Sequence, residues 1–389
     1  MKKTKEDVAI KLLHTADLHI GKRVNEFSMI EDQEYILNQI LTIVEEQKPD
    51  GIMIAGDIYD KSIPTEEGVA LFDSFLTQLH SKELDIFVVS GNHDSSERIN
   101  YGGKIMEQNG IHILGTFQGE LEKVSLQDEY GEVNVYLLPF VKPAMVNRYF
   151  PGVNTYQEAV AAIMEHSAVD QNSRNVLMAH QFITSGETVP ERCDSEQISV
   201  GGLDNVDTAV FEAFDYVALG HLHGSQRIGR DTIRYSGSPL KYSFSEANHN
   251  KSVTMIMLKE KGDLEITKLP LIPLRDMRQI KGPIAALTDS KFYSQANTQD
   301  YIHAILTDEE EIYDAIGKLR SIYPNIMRLD FENSKSVYQE NLKLAAEAVE
   351  QKSPLELFEE FFMSQNNNPL SEPQRAVMMK LLNDSEGRL

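Results

Sequence analysis

Five short polar clusters hold the residues able to do chemistry: Asp17-Leu18-His19, Gly56-Asp57, Gly91-Asn92-His93-Asp94, His180 and Gly220-His221-Leu222-His223. They offer carboxylates, imidazoles and one amide oxygen, with no thiolate among them, and that is a donor set a borderline divalent cation accepts. Each cluster follows a short apolar, β-rich run. Glycine before Asp57, Asn92 and His221 suits tight turns where backbone must approach closely. Taken singly, an Asp-x-His or Gly-Asp pair is more often a turn or a cap than a ligand, and His180 alone reads as a satisfied core residue. Together and in this order, at successive strand ends, they point to a metal centre built on a rigid sheet edge. The other histidines, His14, His80, His112, His166, His249 and His303, lie outside the pattern and read as structural or surface residues.

The order D-x-H, G-D, G-N-H-D, H, G-H-x-H resembles the motif set of the calcineurin-like metallophosphoesterases. The flanking residues narrow the resemblance. Leu13-His14-Thr15-Ala16-Asp17-Leu18-His19-Ile20-Gly21-Lys22, Ala55-Gly56-Asp57-Ile58-Tyr59-Asp60, Ser90-Gly91-Asn92-His93-Asp94 and Ala218-Leu219-Gly220-His221-Leu222-His223 are similar to the nuclease subunits of bacterial SbcC–SbcD complexes. So is Tyr235-Ser236-Gly237-Ser238-Pro239-Leu240, which has no titrating ligand and is therefore no by-product of generic metal chemistry. The resemblance implies an α/β fold: a four-layer αββα sandwich over 8–272, a small α/β DNA-capping domain over 273–335, and a helical tail over 336–389 that binds the partner.

It also implies two divalent cations, manganese foremost. Asp17, His19 and His223 would hold one, Asn92, His180 and His221 the other, and Asp57 would bridge them. A hydroxide shared by the two metals would hydrolyse the phosphodiester. His93 would be the catalytic acid, with Asp94 orienting its imidazole; as plain structure, Asp94 reads as a helix N-cap before Ser95-Ser96-Glu97. The implied activity is 3′ to 5′ exonuclease action on duplex DNA, endonuclease action on single strands and hairpin opening. It would serve DNA repair, recombination and replication in the cytoplasm, as a homodimer working with the SbcC ATPase. The alternative is a metallophosphoesterase acting on small nucleotides or phosphoproteins.

The elements that must position these clusters are readable. Ile10–Leu13, Ile52–Ala55 and Ile86–Ser90 predict buried strands, and Val133–Leu138, Val176–Ala179, Tyr216–Leu219, Ile233–Tyr235 and Val253–Leu258 a second set. Between them, Ile30–Glu46 has helical spacing, Pro64 opens a second helix, and Gln157–His166 forms a third. This alternation makes an α/β domain with mainly parallel connections. A linker is expected near Pro270–Pro273. A small α/β unit follows, with strand Tyr301–Leu306, helix Ile312–Ile322 and strand Ile326–Leu329. Ser353-Pro354 opens a tail helix that puts Leu355, Phe358, Phe361 and Phe362 on one face, and a last helix carries Val377, Met378, Leu381 and Leu382.

Composition bounds the rest. A chain of 389 residues with 41% hydrophobic and 25% charged residues is long enough for two or three domains and a real core. The single cysteine, Cys193, excludes an intramolecular disulfide and a thiolate zinc finger. No apolar run approaches the roughly 18 residues of a membrane span, and the Met-Lys-Lys-Thr-Lys-Glu-Asp start does not read as a secretory signal. The net charge of −23 repels polyanions over most of the surface, so a nucleic-acid substrate needs bound cations, a local basic patch or a basic partner. Lys22, Arg23, Arg98, Lys104 and Lys241 are the basic residues near the clusters, and Lys22 and Arg23 are the expected line of the DNA path.

Overall fold

The computed structural model describes residues 9–196, 204–333, 355, 356, 358, 359, 362, 363 and 369–386. Two six-stranded sheets form the main unit. The first runs, edge to edge, Leu264–Pro270, Ser252–Leu258, Ile10–Thr15, Gly51–Ala55, Asp85–Val89 and Ile111–Leu114. The second runs Gln226–Ile228, Arg230–Tyr235, Tyr216–Leu219, Arg174–Ala179, Gly131–Leu138 and Glu122–Asp128. The parallel connections expected from the sequence run through the middle of each sheet and out to one edge, where Ile111–Leu114 pairs in parallel with Asp85–Val89. The antiparallel pairs are Ile10–Thr15 with Ser252–Leu258 and the hairpins at the other three edges.

Alternation along the strands divides the core into three apolar layers. Leu12, Met53, Phe87 and Val89 of one sheet face Val135, Val176, Met178 and Tyr216 of the other. Leu13, Ile52, Ile54 and Val88 face the helices Ile30–Gln47 and Glu66–His80. Leu138, Leu177, Val217 and Leu219 face the helix Tyr156–His166. Helices thus cover both outer faces, and the four-layer αββα sandwich stands. Thr65, not Pro64, caps the second helix, its hydroxyl accepting from the Gly68 N–H. Thr155 and Glu158 close a capping box on the third.

The expected linker differs from what is found. The strand runs through to Pro270, Leu271 is buried, its N–H donates to the Lys251 carbonyl at 2.8 Å, and Ile272 N–H donates to the Gln39 side chain at 2.9 Å. The chain divides into two compact units, one reaching Gln279 and taking in Asn297–His303 and Asn325–Arg328, the other holding Ile280–Ala296, Ala304–Pro324 and the chain from Leu329. Met277–Gly282, Tyr301–Leu306 and Ile326–Phe331 pair in that order as a three-stranded sheet. The helix expected over Ile312–Ile322 is shorter, Ala315–Arg320, because Asp314 caps it by accepting from the Gly317 N–H. In the tail, Leu355, Phe358 and Phe362 are half-buried, with the Phe358 and Phe362 rings 6.4 Å apart; Phe361 lies outside the described residues. No helix among the described residues is long and apolar enough to cross a membrane.

Phe87 is fully buried between the sheets. Phe87→Ala should lower the unfolding free energy by about 3–5 kcal/mol, measured by urea denaturation.

Candidate metal centre

All five clusters lie just past the C-terminal ends of parallel strands, and the two sheets bring these ends together. Asp17 and His19 follow Ile10–Thr15, Asp57 follows Gly51–Ala55, and Asn92 and His93 follow Asp85–Val89. From the second sheet, His180 follows Arg174–Ala179 and His221 and His223 follow Tyr216–Leu219. The approach is close enough to forbid side chains. A Cβ on Gly220 would lie 1.9 Å from the Ala55 carbonyl oxygen, and one on Gly91 would lie 2.1 Å from Asp57 Oδ1. The backbone is also bent to aim the donors. Asp17, His19, Asp57 and His221 all have positive φ, at 55°, 45°, 50° and 102°, a region where non-glycine residues sit at some cost.

The donors form two overlapping groups. Asp17, His19 and His223 offer atoms within 4.8 Å of one another. His19 Nε2 and His223 Nε2 face each other at 3.0 Å. Opposite them, Asn92 Oδ1 lies 3.1 Å from His180 Nε2 and 2.9 Å from His221 Nδ1. Asp57 stands between: its Oδ2 is 3.6 Å from His19 Nε2 and 3.4 Å from His180 Nε2, while its Oδ1 accepts the His93 N–H at 2.9 Å. The set expected from sequence is therefore brought together whole.

Its electrostatics fit a cation. Asp17 Oδ2 and His19 Nδ1 are buried without a hydrogen-bond partner. His180 donates its Nδ1–H to the Ala55 carbonyl at 2.8 Å, which turns Nε2 inward. Burial drives the His19 pKa well down and that of His221 to about 3, so both imidazoles are neutral donors. Burial opposes charge on His180 too, but Asp57 outweighs it and lifts the pKa to about 9. Burial, with Asp57 beside it, pushes the Asp17 carboxyl well up, whereas His180, His19 and His93 overcome burial and hold Asp57 well down. Two buried acids beside the neutral imidazoles of His19 and His221 draw positive charge into the cluster.

Asp94 does not orient His93. Its Oδ1 accepts the Tyr59 N–H at 3.0 Å, and its Oδ2 accepts the N–H groups of Ile58 at 3.1 Å and Gly91 at 2.9 Å. The carboxylate thus fastens the Asp57 turn to the Asn92 turn. Nor does it cap the helix Ser96–Ile99, whose N-cap residue is Ser95. The Asp60 carbonyl takes its place, accepting His93 Nδ1–H at 2.9 Å and leaving Nε2 turned inward, 3.9 Å from Asp57 Oδ2.

The basic residues divide. Lys22 is committed, its ammonium 2.7 Å from Asp60 Oδ1 and over the Tyr242 ring, so it braces the site and does not present a free cation. Arg23 is exposed and donates to the Glu26 carbonyl of its own turn. Lys241 pairs with Asp276 at 2.8 Å. Arg98 and Lys104 are exposed. Arg192, which the sequence did not single out, is exposed with its guanidinium 4.0 Å above the Phe182 ring, and that ring lies 6.2 Å from the His221 ring.

The calcineurin-like phosphoesterase family model matches residues 10–225. A second, described as a type 5 capsule protein repressor C-terminal domain, matches residues 273–366. The SbcD subunit of the SbcCD nuclease of Staphylococcus epidermidis is 35% identical over 387 residues, covering 97% of this chain and 100% of that protein. The chain belongs to the SbcD family of calcineurin-like phosphoesterases. Similar solved structures include a dimetal phosphatase from Danio rerio, 11% identical over 68% of this chain and 97% of that one, with a TM-score of 0.41. A Thermus thermophilus protein, TT1561, is 12% identical over 67% and 99%, with a TM-score of 0.37.

Membership of the SbcD family of calcineurin-like phosphoesterases gives the outer residues a purpose. In Tyr235-Ser236-Gly237-Ser238-Pro239-Leu240, the Tyr235 hydroxyl accepts the Ile183 N–H at 2.7 Å and donates to the Gln181 carbonyl at 3.2 Å. Ser238 N–H donates to the His223 carbonyl at 3.2 Å. The motif therefore fixes the segment that follows His180 and the backbone of His223. Gln33, deep in the first helix, likewise donates to the His19 carbonyl at 2.7 Å and accepts the Gly21 N–H at 2.9 Å.

Gly91→Ala should displace Asp57 and weaken Mn(II) binding roughly tenfold or more, read by isothermal titration.

Proposed function

We propose that the chain is the nuclease subunit of an SbcC–SbcD-type complex, cutting DNA phosphodiesters with His93 as the acid and two cations, manganese foremost, in the cluster. Asp17, His19 and His223 hold one cation, Asn92, His180 and His221 the other, and Asp57 reaches both. Bound cations would supply Lewis-acid stabilisation of the charge that develops on the phosphoryl oxygens. The observation that carries the reading is the setting of His93. One ring nitrogen is anchored on the Asp60 carbonyl, and the other faces the carboxylate–imidazole cluster, 3.9 Å from Asp57 Oδ2 and within 4.8 Å of the donor atoms of His19 and Asp57. Asn92, His180 and His221 with Asp57 on one side and Asp17, His19 and His223 on the other already supply donors for two cations, which leaves His93 for the substrate. Protonated at both nitrogens, His93 keeps Nδ1–H on Asp60 and donates Nε2–H to the leaving oxygen.

Asp94 contributes by holding the Asp57 and Asn92 turns at a fixed separation. Arg98 and Arg192 are the cationic side chains we assign to the DNA backbone, which needs only phosphate contacts when sequence is not read. The S. epidermidis relative is named as part of an SbcCD nuclease, and on that basis SbcC is the partner. A large ATPase then supplies the DNA grip that a net charge of −23 denies this chain. Residues 8–272 are the nuclease domain, 273–335 the capping domain and 336–389 the SbcC-binding tail, and the assembly is a cytoplasmic dimer serving repair and recombination.

The test is Mn(II)-dependent shortening of an end-labelled duplex by the full chain. His93→Ala should cut the rate about 10²–10⁴-fold while Mn(II) binding stays intact; parallel loss of both would make His93 a structural residue. Hydrolysis of a small phosphodiester without duplex cleavage, even with SbcC and ATP, would leave the metal centre and refute the substrate. Deleting 351–389 should abolish co-purification with SbcC and spare Mn(II) binding; retained co-purification would move the partner surface elsewhere.

A further inference from the structure

His223 is held by a buried network that runs outward from the cluster. Lys251 is the start of it: its ammonium donates to Glu246 Oε2 at 2.6 Å, the His223 carbonyl at 2.9 Å and Ser238 Oγ at 2.9 Å. Ser238 sends its own hydrogen to the Leu240 carbonyl at 2.7 Å, so it can only accept from Lys251. Glu246, wholly buried, receives at Oε1 the Ser195 hydroxyl at 2.6 Å, the Ser243 hydroxyl at 3.0 Å and the Tyr242 N–H at 3.2 Å. The Ser195 oxygen then faces His223 Nδ1 at 2.7 Å with its only hydrogen already given away. Next to it, Glu196 accepts the His223 N–H at 2.7 Å.

We infer that Ser195 and Glu246 are positioning residues that select the tautomer of His223, an inference resting on the metal-centre reading above. Because Glu246 takes the Ser195 hydrogen, Ser195 can only accept, and His223 must carry its proton on Nδ1. Its Nε2 lone pair is thereby turned toward His19 Nε2 and Asp17, where a cation of the first group would be held. The other tautomer would place an N–H there and leave two hydrogen-bond acceptors, Ser195 Oγ and Nδ1, in opposition. Lys251 keeps the direction fixed, since an ammonium only donates. The specificity is directional, so a hydroxyl at 195 is essential and the bulk of the side chain is not.

The experiment uses the full chain with Mn(II) alone as probe, following binding by isothermal titration and free Mn(II) by electron paramagnetic resonance. Ser195→Thr keeps a hydroxyl, whereas Ser195→Val has the same shape as threonine without one. The expected result is two Mn(II) sites in the unmodified chain and in Ser195→Thr, and one site weakened about 10–100-fold in Ser195→Val, the other unchanged. Glu246→Gln, whose amide can donate to the Ser195 oxygen, should give the same selective loss. Wild-type affinity at both sites in Ser195→Val, or equal loss in Ser195→Thr, would overturn the inference. Imidazole ¹⁵N shifts of the unmodified, metal-free chain give a readout independent of any variant's folding: an Nδ1–H His223 supports the assignment and an Nε2–H form refutes it. His223→Ala should lose the same single site. If it binds Mn(II) as the unmodified chain does, the metal-centre reading falls and this inference with it.

Discussion

The arrangement depends on how closely the two sheets approach at their C-terminal edges. His180, carried by the second sheet, donates to the Ala55 carbonyl of the first at 2.8 Å, and a Cβ on Gly220 would meet that same oxygen at 1.9 Å. Small residues allow it. Ala16, Ala55 and Ala218 are fully buried between the sheets at this end, whereas deeper in the layer the inner face carries Phe87, Met53 and Tyr216. The close approach lets donors from five strand ends converge on one cluster. His14 reinforces the closure, its imidazole lying between the Tyr216 hydroxyl at 3.0 Å and the Leu219 carbonyl at 3.2 Å, with burial keeping it neutral at a pKa of about 3.

Convergence has a cost that a cation offsets. Asp17 and Asp57 are both buried beside each other, and four imbalances follow: a carboxyl pushed up, one held down, an imidazole lifted and others suppressed. Left-handed backbone at Asp17, His19, Asp57 and His221 adds strain. A fold retains such features where something bound returns the energy. The same cations would draw a phosphodiester to a chain whose overall charge repels it, so the local and the global electrostatics of the molecule have opposite sign and complementary roles.

What could be read from the sequence is what a strand end displays. Asp17-x-His19, Gly56-Asp57, Gly91-Asn92-His93 and Gly220-His221-x-His223 are local patterns, each signalled by an apolar run and a turn, and Tyr216–Leu219 and Tyr301–Leu306 were legible to the residue. Partners distant in the chain were not. Asp94 is adjacent to His93 in sequence but spends its oxygens on the Asp57 turn, and the carbonyl that takes its place belongs to Asp60, 33 residues away. Backbone acceptors carry no residue identity, so no motif announces them. The edge strand Leu264–Pro270 was missed because one of its faces is exposed and polar, and its Pro270 reads as a breaker although the strand ends there.

The histidines also differ in what holds them. His180 and His93 each place Nδ1–H on a backbone carbonyl, a fixed partner that no side-chain substitution removes. His223 Nδ1 instead meets a side chain, the Ser195 hydroxyl at 2.7 Å. Side chains from 195, 246 and 251 must do for it what a backbone carbonyl does for the other two. A buried Lys–Glu pair adds little to stability, since desolvation offsets its attraction, but removing one partner strands the other charge. Lys251 and Glu246, at 5% and 0% side-chain exposure, are therefore better explained by the direction they impose on Ser195 and His223 than by any energy they contribute to the fold.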